Sequence, residues 1–297
     1  MGSGYMKNKS LFISGMVPIL VWCMMWNAFV YADSGEDEAW WARAARECSD
    51  LIFPAQFWDS LKQCHGIATV AGLRTRRVGP FAKGEKLTYE AAWGPMKAGR
   101  GVLKTWIDSS NKTVHCSVKG MTNKFTGAFF KVRDFLYSEI DLQGLYCYTF
   151  EEHVREGRYK ADRYAYYDHP NSRVFSYKNK EEPIQAPKFT HSVVSLLCEL
   201  RSRDINPQDT FSINTFVQGK NYRVFFGCKK REKIKTDAGE FTCLLIEPVL
   251  TGKGRVFTKK DKVRIWFTDD KYAVPVMYKI KIAIGSVTVR LIEYERG

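Results

Sequence analysis

The sequence has 297 residues, of which 45% are hydrophobic and 14% aromatic, and its formal net charge is +14. This composition is typical of a folded chain with a sizeable core and excludes an intrinsically disordered protein. The basic excess favours anionic partners, namely anionic lipid, glycolipid or polysaccharide, whereas the absence of zinc-finger, helix-turn-helix and RNP patterns makes nucleic acid an unfavoured partner.

The first 32 residues have the order of a secretory signal. Two lysines precede an apolar run over residues 11–30, and the small residue Ala32 is followed at once by the acidic stretch 33–38. We therefore predict residues 1–32 to be a signal peptide cleaved after Ala32, with export to the periplasm. An uncleaved inner-membrane anchor is the less favoured alternative, because Asn27 lies near the end of the apolar run.

A helical N-terminal segment is predicted over residues 33–78. It contains two short amphipathic stretches, at 38–48 and 54–64, and it ends in the basic, glycine-bearing connection 71–85. The apolar side of the second stretch consists of Phe57, Trp58 and Leu61. We expect this segment to pack on the domain that follows.

Cysteines are expected to pair after export, because the periplasm is oxidising. The first candidate pair is Cys48–Cys64, which would join the two helical stretches. The second is Cys228–Cys243, whose members are offset along one hairpin. The sequence has no C-x-x-C, and its five histidines are isolated from one another. We therefore expect no metal site and no cofactor.

From Lys86 onward the hydrophobic residues alternate with a period of two. The clearest strands come last, where Val276, Tyr278 and Ile280 alternate with lysines. The pattern predicts a mainly β domain over residues 79–297, built as a curled antiparallel sheet or open β-barrel. One apolar helix, predicted within residues 190–204, interrupts the strands, and we expect the sheet to pack around it.

Candidate functional residues are few. Trp93, Trp106, Trp266 and the helical Leu197 are candidates for an apolar groove that holds an amphiphile with an anionic head group. Adjacent carboxylates at Asp269 and Asp270 follow an aromatic strand, but neighbouring residues of a strand point to opposite faces. We interpret them as a turn rather than as a catalytic pair.

Four stretches resemble a bacterial exported family, domain of unknown function 3108. They are GEKLTYEAAWGPMKAG (84–99), SVVSLLCELR (192–201), REKIKTDAGEFTCLLIEP (231–248) and VRIWFTDDKYAVPVMYKIKIAIGSVTVRL (263–291). The resemblance spans about residues 79–297 and implies a secreted or periplasmic β-rich protein without an assigned activity. A more distant architectural likeness is to the envelope lipoprotein carriers, half-barrels that close over helices and hold acyl chains.

These observations predict an exported, non-enzymatic protein that binds a hydrophobic or amphiphilic envelope component, or an envelope-assembly partner. One alternative is an envelope hydrolase or polysaccharide-modifying enzyme, in which Asp269 or Asp270 would converge with Glu90 or Glu152. Another alternative is a structural scaffold protein.

Overall fold

The computed structural model describes residues 55–64, 73–77, 79, 81, 84–177, 179–249, 262–281 and 285–297. The predicted signal peptide and the predicted helix at 38–48 lie outside these residues. In the part of the chain that is described, none of the helices combines the length and the apolar character that a bilayer span requires.

Fourteen strands of the described chain form one antiparallel sheet. In chain order they are β1 Glu85–Trp93, β2 Met96–Asp108, β3 Thr113–Thr122, β4 Arg133–Asp141, β5 Cys147–Glu156, β6 Tyr159–Asp168, β7 Arg173–Ser176, β8 Asn179–Gln185, β9 Thr210–Val217, β10 Lys220–Thr236, β11 Gly239–Val249, β12 Lys262–Thr268, β13 Pro275–Lys281 and β14 Ser286–Arg296. Three helices accompany them: α1 Ala55–Cys64, α2 Lys124–Phe129 and α3 Val193–Ser202.

The strand order is β8-β7-β6-β5-β4-β3-β2-β1-β14-β13-β12-β11-β10-β9. The first and last strands of the chain, β1 and β14, therefore lie side by side in the middle of the sheet. The two edge strands, β8 and β9, are joined by the segment that contains α3. The sheet is curled but not closed into a barrel, as the sequence predicts.

Strand periodicity explains which side chains face the core. On β13, Val276, Tyr278 and Ile280 are buried while Lys279 and Lys281 are exposed. The predicted hairpin is also present, because Thr236 pairs with Gly239 across the β10–β11 turn. The alternation and the turn residues together account for the register of this half of the sheet.

Helix α3 fills the inner side of the curled sheet. Ser192 is its N-cap, and its side chain accepts a hydrogen bond from the backbone N–H of Ser195 in a capping box. All ten residues from Val193 to Ser202 are buried, and the apolar ones belong to the main core of the sheet. The prediction of one inserted helix inside a curled sheet is confirmed.

Helix α1 packs on a second, smaller cluster. Its Trp58 lies among Tyr164, Tyr166 and Phe175 of β6 and β7, and the Trp58 Nε1–H donates to Glu151 Oε1 at 3.1 Å. Tyr164 and Tyr166 alternate with Ala165 and Tyr167, which belong to the main core. Helix α1 is therefore attached to the outer side of the sheet, opposite α3.

Candidate anion-binding site

A polar stripe runs along one side of α3. Ser195 and Glu199 lie one turn apart on the same side of the helix, and His191, which precedes the N-cap Ser192, continues the stripe through its contact with Ser195. The His191 Nδ1 lies 3.1 Å from Ser195 Oγ, and its Nε2 lies 3.9 Å from Glu199 Oε2. All three residues are buried, so the stripe needs partners from another part of the chain.

Those partners come from residues 73–77, which we call the arginine strap. Arg74 Nη2 donates to Glu199 Oε2 at 3.0 Å and lies 3.1 Å from His191 Nε2. Arg76 reaches the same carboxylate, with Nε 3.3 Å from Glu199 Oε2. The strap therefore lies along the polar stripe of α3.

A third part of the cluster lies at the C-terminal end of the helix. Arg203, the C-cap residue of α3, donates from Nη2 to Glu199 Oε1 at 2.8 Å. Arg77 of the strap donates to the backbone carbonyl of Arg203 at 3.4 Å. Three guanidinium groups thus converge on the carboxylate of Glu199, with a fourth beside them. Positive charge therefore exceeds negative charge among the described residues of this site.

The excess of positive charge lowers the pKa of Arg74. Burial is the largest cause that lowers the pKa of Arg74, and the positive charges of Arg76 and Arg203 lower it further. The carboxylate of Glu199 opposes both effects, and the pKa falls from 12.5 to about 10. Arg74 remains cationic at neutral pH, but its surroundings favour an additional negative charge.

The loop between β4 and β5 holds the strap in place. The Arg76 N–H donates to the Gln143 carbonyl at 2.7 Å, and Arg74 Nε donates to the Gly144 carbonyl at 2.7 Å. The Leu73 N–H donates to the Tyr146 hydroxyl at 3.3 Å. These three hydrogen bonds, one between backbones and two that involve a side chain, hold the strap against the loop.

Exposure divides the strap into an inner and an outer part. The Arg74 side chain is 13% exposed, whereas that of Arg76 is 35% exposed. Arg77 and Leu73 are exposed, Leu73 at 38%. The inner part neutralises Glu199, and the outer part presents arginine and leucine side chains at the surface.

The stripe on α3 does not have the proton arrangement of a catalytic triad, although it contains Ser, His and Glu. Because Arg74 is a donor only, His191 Nε2 must accept, and the ring proton lies on Nδ1. Ser195 Oγ accepts from that Nδ1–H and from the Ser192 N–H at 3.0 Å. The imidazole therefore has no free lone pair toward the Ser195 hydroxyl, and its role here is to hold the helix.

Of the residues predicted for an apolar groove, Leu197 and Trp266 belong to the main core, Trp93 packs against that core, and Trp106 lies outside it. Leu197 is on α3 and is 2% exposed within the main core. Trp106 is on the outer side of β2, where it is 37% exposed and stacks on His115 with ring centroids 5.2 Å apart. Trp266 is buried on β12 and donates to Glu232. Trp93 ends β1, and a Cβ atom built at Gly285 would lie 3.1 Å from its Nε1.

A turn lies at Asp269 and Asp270. Asp270 Oδ1 accepts from the backbone N–H groups of Tyr272 and Ala273 at 2.8 Å and 3.0 Å, and Asp269 pairs with Arg231. These contacts join β12 to β13 through an Asx-type turn.

The two other carboxylates considered in the sequence also have partners of their own. Glu90 pairs with Lys97 at 2.8 Å, and Glu152 pairs with Arg163 at 2.7 Å. Glu152 is 2% exposed, and burial raises its pKa despite Arg163.

The predicted disulfide Cys48–Cys64 involves Cys48, which lies outside the described residues. Cys64 is exposed at the end of α1, and Cys228 and Cys243 are separate buried thiols. On the hairpin, Cys228 pairs with Ile246 and Cys243 pairs with Glu232. The offset that the sequence predicts between these two cysteines is present.

The arginine strap was not identified as a site from the sequence. Its signal is the basic stretch LRTRR (73–77), which is part of the connection predicted over residues 71–85. The hydrophobic periodicity of the sequence does not identify the partner of the strap, because Arg74 and Glu199 are 125 residues apart in the chain. A second signal of the site in the sequence is Glu199, a charged residue within the predicted apolar helix.

Comparison with known families identifies one match. The model of the family described as "Protein of unknown function (DUF3108)" matches residues 88–292. Among curated proteins, none matches the chain significantly. The match covers α3 and most of the sheet but begins after the arginine strap.

Solved structures show where the fold occurs elsewhere. A β-barrel-like protein of the domain of unknown function DUF1849 from Brucella abortus aligns with a TM-score of 0.51 and 11% identity, over 72% of this chain and 98% of that one. This likeness supports the curled-sheet fold alone.

Two further alignments are weaker. A protein from Parabacteroides distasonis that is provisionally described as a lipoprotein aligns with a TM-score of 0.32 and 10% identity, over 75% of this chain and 100% of that one. A Bacteroides fragilis protein provisionally described as exported, with a YmcC-like fold, aligns with a TM-score of 0.28 and 10% identity, over 73% and 98%. Similarity at this level supports no argument about this chain.

Proposed function

Because the chain belongs to the DUF3108 family of proteins of unknown function, we propose a function from its own site: it is an exported, non-enzymatic protein that docks on anionic lipid head groups through the arginine strap. The observation that carries the proposal is the convergence of Arg74, Arg76 and Arg203 on one buried carboxylate, Glu199. Among the described residues, no acidic side chain is paired with Arg77, which is exposed at the outer part of the strap.

Lipid is favoured over acidic polysaccharide by the exposed Leu73. A leucine followed by arginines is the composition of a segment that places an apolar side chain among acyl chains while its cations remain at head-group level. Leu73 is one of three large hydrophobic side chains that are exposed in the described part of the chain. An acidic polysaccharide would pair with the arginines but would offer no apolar contact for Leu73.

Docking on a surface is favoured over carriage of an acyl chain inside the sheet. The space that a half-barrel carrier uses for acyl chains is taken here by α3, whose Val194 and Leu197 are 0% and 2% exposed. A close-packed interior of this kind leaves the ligand to be recognised from outside. We therefore propose that lipid binds at the surface, which requires no internal cavity.

A non-enzymatic role is supported by the chemistry of the same site. The polar residues of the α3 stripe satisfy one another, and burial and the nearby positive charge of Arg74 hold the pKa of His191 well below its ordinary value. A histidine that is neutral and donates its ring proton to Ser195 positions the helix and leaves no base for a substrate.

Vesicle binding tests the proposal. Co-sedimentation would be measured with vesicles of neutral phosphatidylcholine, alone or mixed with anionic phosphatidylglycerol, for the exported protein and for the double variant Arg76→Gln/Arg77→Gln. We expect binding to the anionic vesicles only. Two surface cations contribute roughly 1 kcal/mol each, so the double variant should bind about 30-fold more weakly.

The matched control removes two cations from another place. Lys279→Gln/Lys281→Gln changes exposed lysines on the outer side of β13 and should retain most of the binding. Equal loss in both double variants would show that net charge alone matters and would remove the strap from the proposal. Competition by alginate at equal charge, with no effect of Leu73→Ser, would favour an acidic polysaccharide and contradict the lipid assignment.

A further inference from the structure

Two buried cysteines meet between the sheet and the central helix. Cys116 lies on β3 and is 0% exposed, and Cys198 lies on α3 and is 1% exposed. Cys116 pairs in register with Ser138 of β4 and, through Thr105 of β2, with Glu85 of β1. Helix α3 contacts both ends of this row and therefore crosses β3 at Cys116, and Cys198 contributes to a raised pKa of Cys116. The two positions are 82 residues apart in the chain (198 − 116), and neither belongs to a pair predicted from the sequence.

Hydrogen bonds join α3 to the sheet on both sides of Cys198. Near the start of α3, Ser192 Oγ lies 2.8 Å from Ser138 Oγ of β4. Near its end, Arg201 Nη2 donates to Glu85 Oε2 of β1 at 3.0 Å. Because Cys198 lies between these two anchors, its distance from β3 is fixed by the packing of α3 on the sheet.

We propose that Cys116 and Cys198 are an oxidation site, and that the exported protein carries a disulfide between them that joins α3 covalently to β3. The proposal is separate from lipid docking, and it requires only that the chain reaches an oxidising compartment. It replaces neither of the pairs predicted from the sequence, whose members are other cysteines.

The reaction is a thiol–disulfide exchange with a donor disulfide of the compartment, either a protein or a small molecule such as oxidised glutathione. The thiolate of one cysteine attacks the donor disulfide, forms a mixed disulfide and releases the first donor thiolate. The thiolate of the other cysteine then attacks the mixed disulfide at the first cysteine, and the second donor thiolate leaves. The two cysteines lose two electrons and two protons in total, and the donor is reduced to two thiols.

The exchange should take place before the core is closed. In the folded reduced protein Cys198 and burial raise the pKa of Cys116 well above its ordinary value, so little thiolate is present. The same burial protects the disulfide from reductants once it has formed. We therefore expect slow reduction of the folded protein and fast reduction of the unfolded protein.

Three of the other described cysteines have different surroundings. Cys147 lies 3.2 Å from the Thr149 carbonyl, to which its thiol donates. Cys243 similarly donates to the Phe241 carbonyl at 3.6 Å, and Cys64 is exposed. Selective pairing of Cys116 with Cys198 is therefore expected over pairing with these thiols.

The test is cysteine mapping by mass spectrometry of the full-length exported protein. The protein would be denatured in iodoacetamide without reductant, digested, and compared with a sample that is reduced first. We expect one linked peptide containing Cys116 and Cys198, and both cysteines alkylated only after reduction. The variant Cys147→Ala is the matched control for a buried thiol and should give the same linked peptide.

Three results would overturn the proposal. The first is alkylation of both Cys116 and Cys198 before reduction. The second is a linked peptide that joins either of them to another cysteine. The third is an equal rate of reduction by dithiothreitol with and without denaturant, because a disulfide in this core must be shielded. None of these measurements depends on a variant that folds poorly.

Discussion

Arg201 is a charged residue that fixes the position of a buried helix. Its Nε donates to the Ala273 carbonyl at 3.0 Å, and its Nη2 donates to the Tyr272 carbonyl at 3.1 Å and to Glu85. The guanidinium also lies 4.9 Å from the centre of the Phe81 ring. A side chain that is 1% exposed and has partners on β1 and on the β12–β13 turn specifies one orientation of α3.

Removal of one partner of this ion pair should be costly. Glu85→Gln leaves the buried guanidinium of Arg201 without its counter-charge, and breaking a buried pair in this way destabilises proteins by about 3–5 kcal/mol. The double variant Glu85→Leu/Arg201→Met should lose less, because no charge remains buried. Urea unfolding measures both, and a loss below about 1 kcal/mol for Glu85→Gln would show that the pair is not structural.

His169 gives the fold a pH dependence with a defined sign. Its Nε2 lies 2.7 Å from the Cys147 carbonyl, and its Nδ1 accepts from the Phe189 N–H. Burial lowers the pKa of His169 from 6.5 to about 4. Below the ordinary value the unfolded chain takes up a proton that the folded chain excludes, so stability falls as the pH is lowered from 6.5 toward 4.

The size of this effect is about 3 kcal/mol, at roughly 1.4 kcal/mol for each pKa unit. His169→Gln should remove that part of the loss, while His191, whose pKa is also lowered by burial, continues to contribute. Urea unfolding at several pH values between 4.5 and 7.5 measures the slope. An unchanged slope in the variant would assign the pH dependence to other groups.

At the scale of elements, the arginine strap depends on one glycine. A Cβ atom built at Gly144 would lie 2.3 Å from the Tyr146 ring and 2.8 Å from the Arg74 carbonyl oxygen. The close approach of the β4–β5 loop to the strap is therefore possible only without a side chain at this position.

Gly144→Ala should displace the strap while leaving the sheet folded. We expect faster tryptic cleavage after Arg76 and Arg77, weaker binding to anionic vesicles, and a stability loss of about 1–3 kcal/mol from overpacking. Gly79→Ala is the matched control, because a Cβ at Gly79 would meet nothing within 4 Å. Equal cleavage rates in the two variants would show that Gly144 does not hold the strap.

At the scale of the whole molecule, local patterns predicted the sheet and long-range pairing completed the site. Alternation on β13 and the turn residues of the β10–β11 hairpin specified strands, because each pattern acts within a few residues. The apolar stripe of α3 likewise predicted a buried helix. These signals were sufficient for the curled sheet and the inserted helix.

The partners of the buried charges could not be predicted in the same way. Glu85 and Arg201 are 116 residues apart, and their pairing follows from where β1 and α3 lie in the finished sheet. The same is true of the strap arginines and Glu199. A buried Glu or Arg in an apolar helix indicates that a counter-charge is needed but does not identify it.

We propose that the molecule recognises anionic lipid from its surface and not inside its curled sheet. Salt dependence of vesicle binding, followed by lipid analysis of the protein recovered from solution, tests this claim most directly. Head-group docking through arginines predicts that binding to phosphatidylglycerol vesicles is lost when salt is raised to about 0.5 M, where charges are screened within a few ångströms. It also predicts that the recovered protein carries no lipid. Binding that resists salt, with one lipid retained per protein molecule, would contradict the claim.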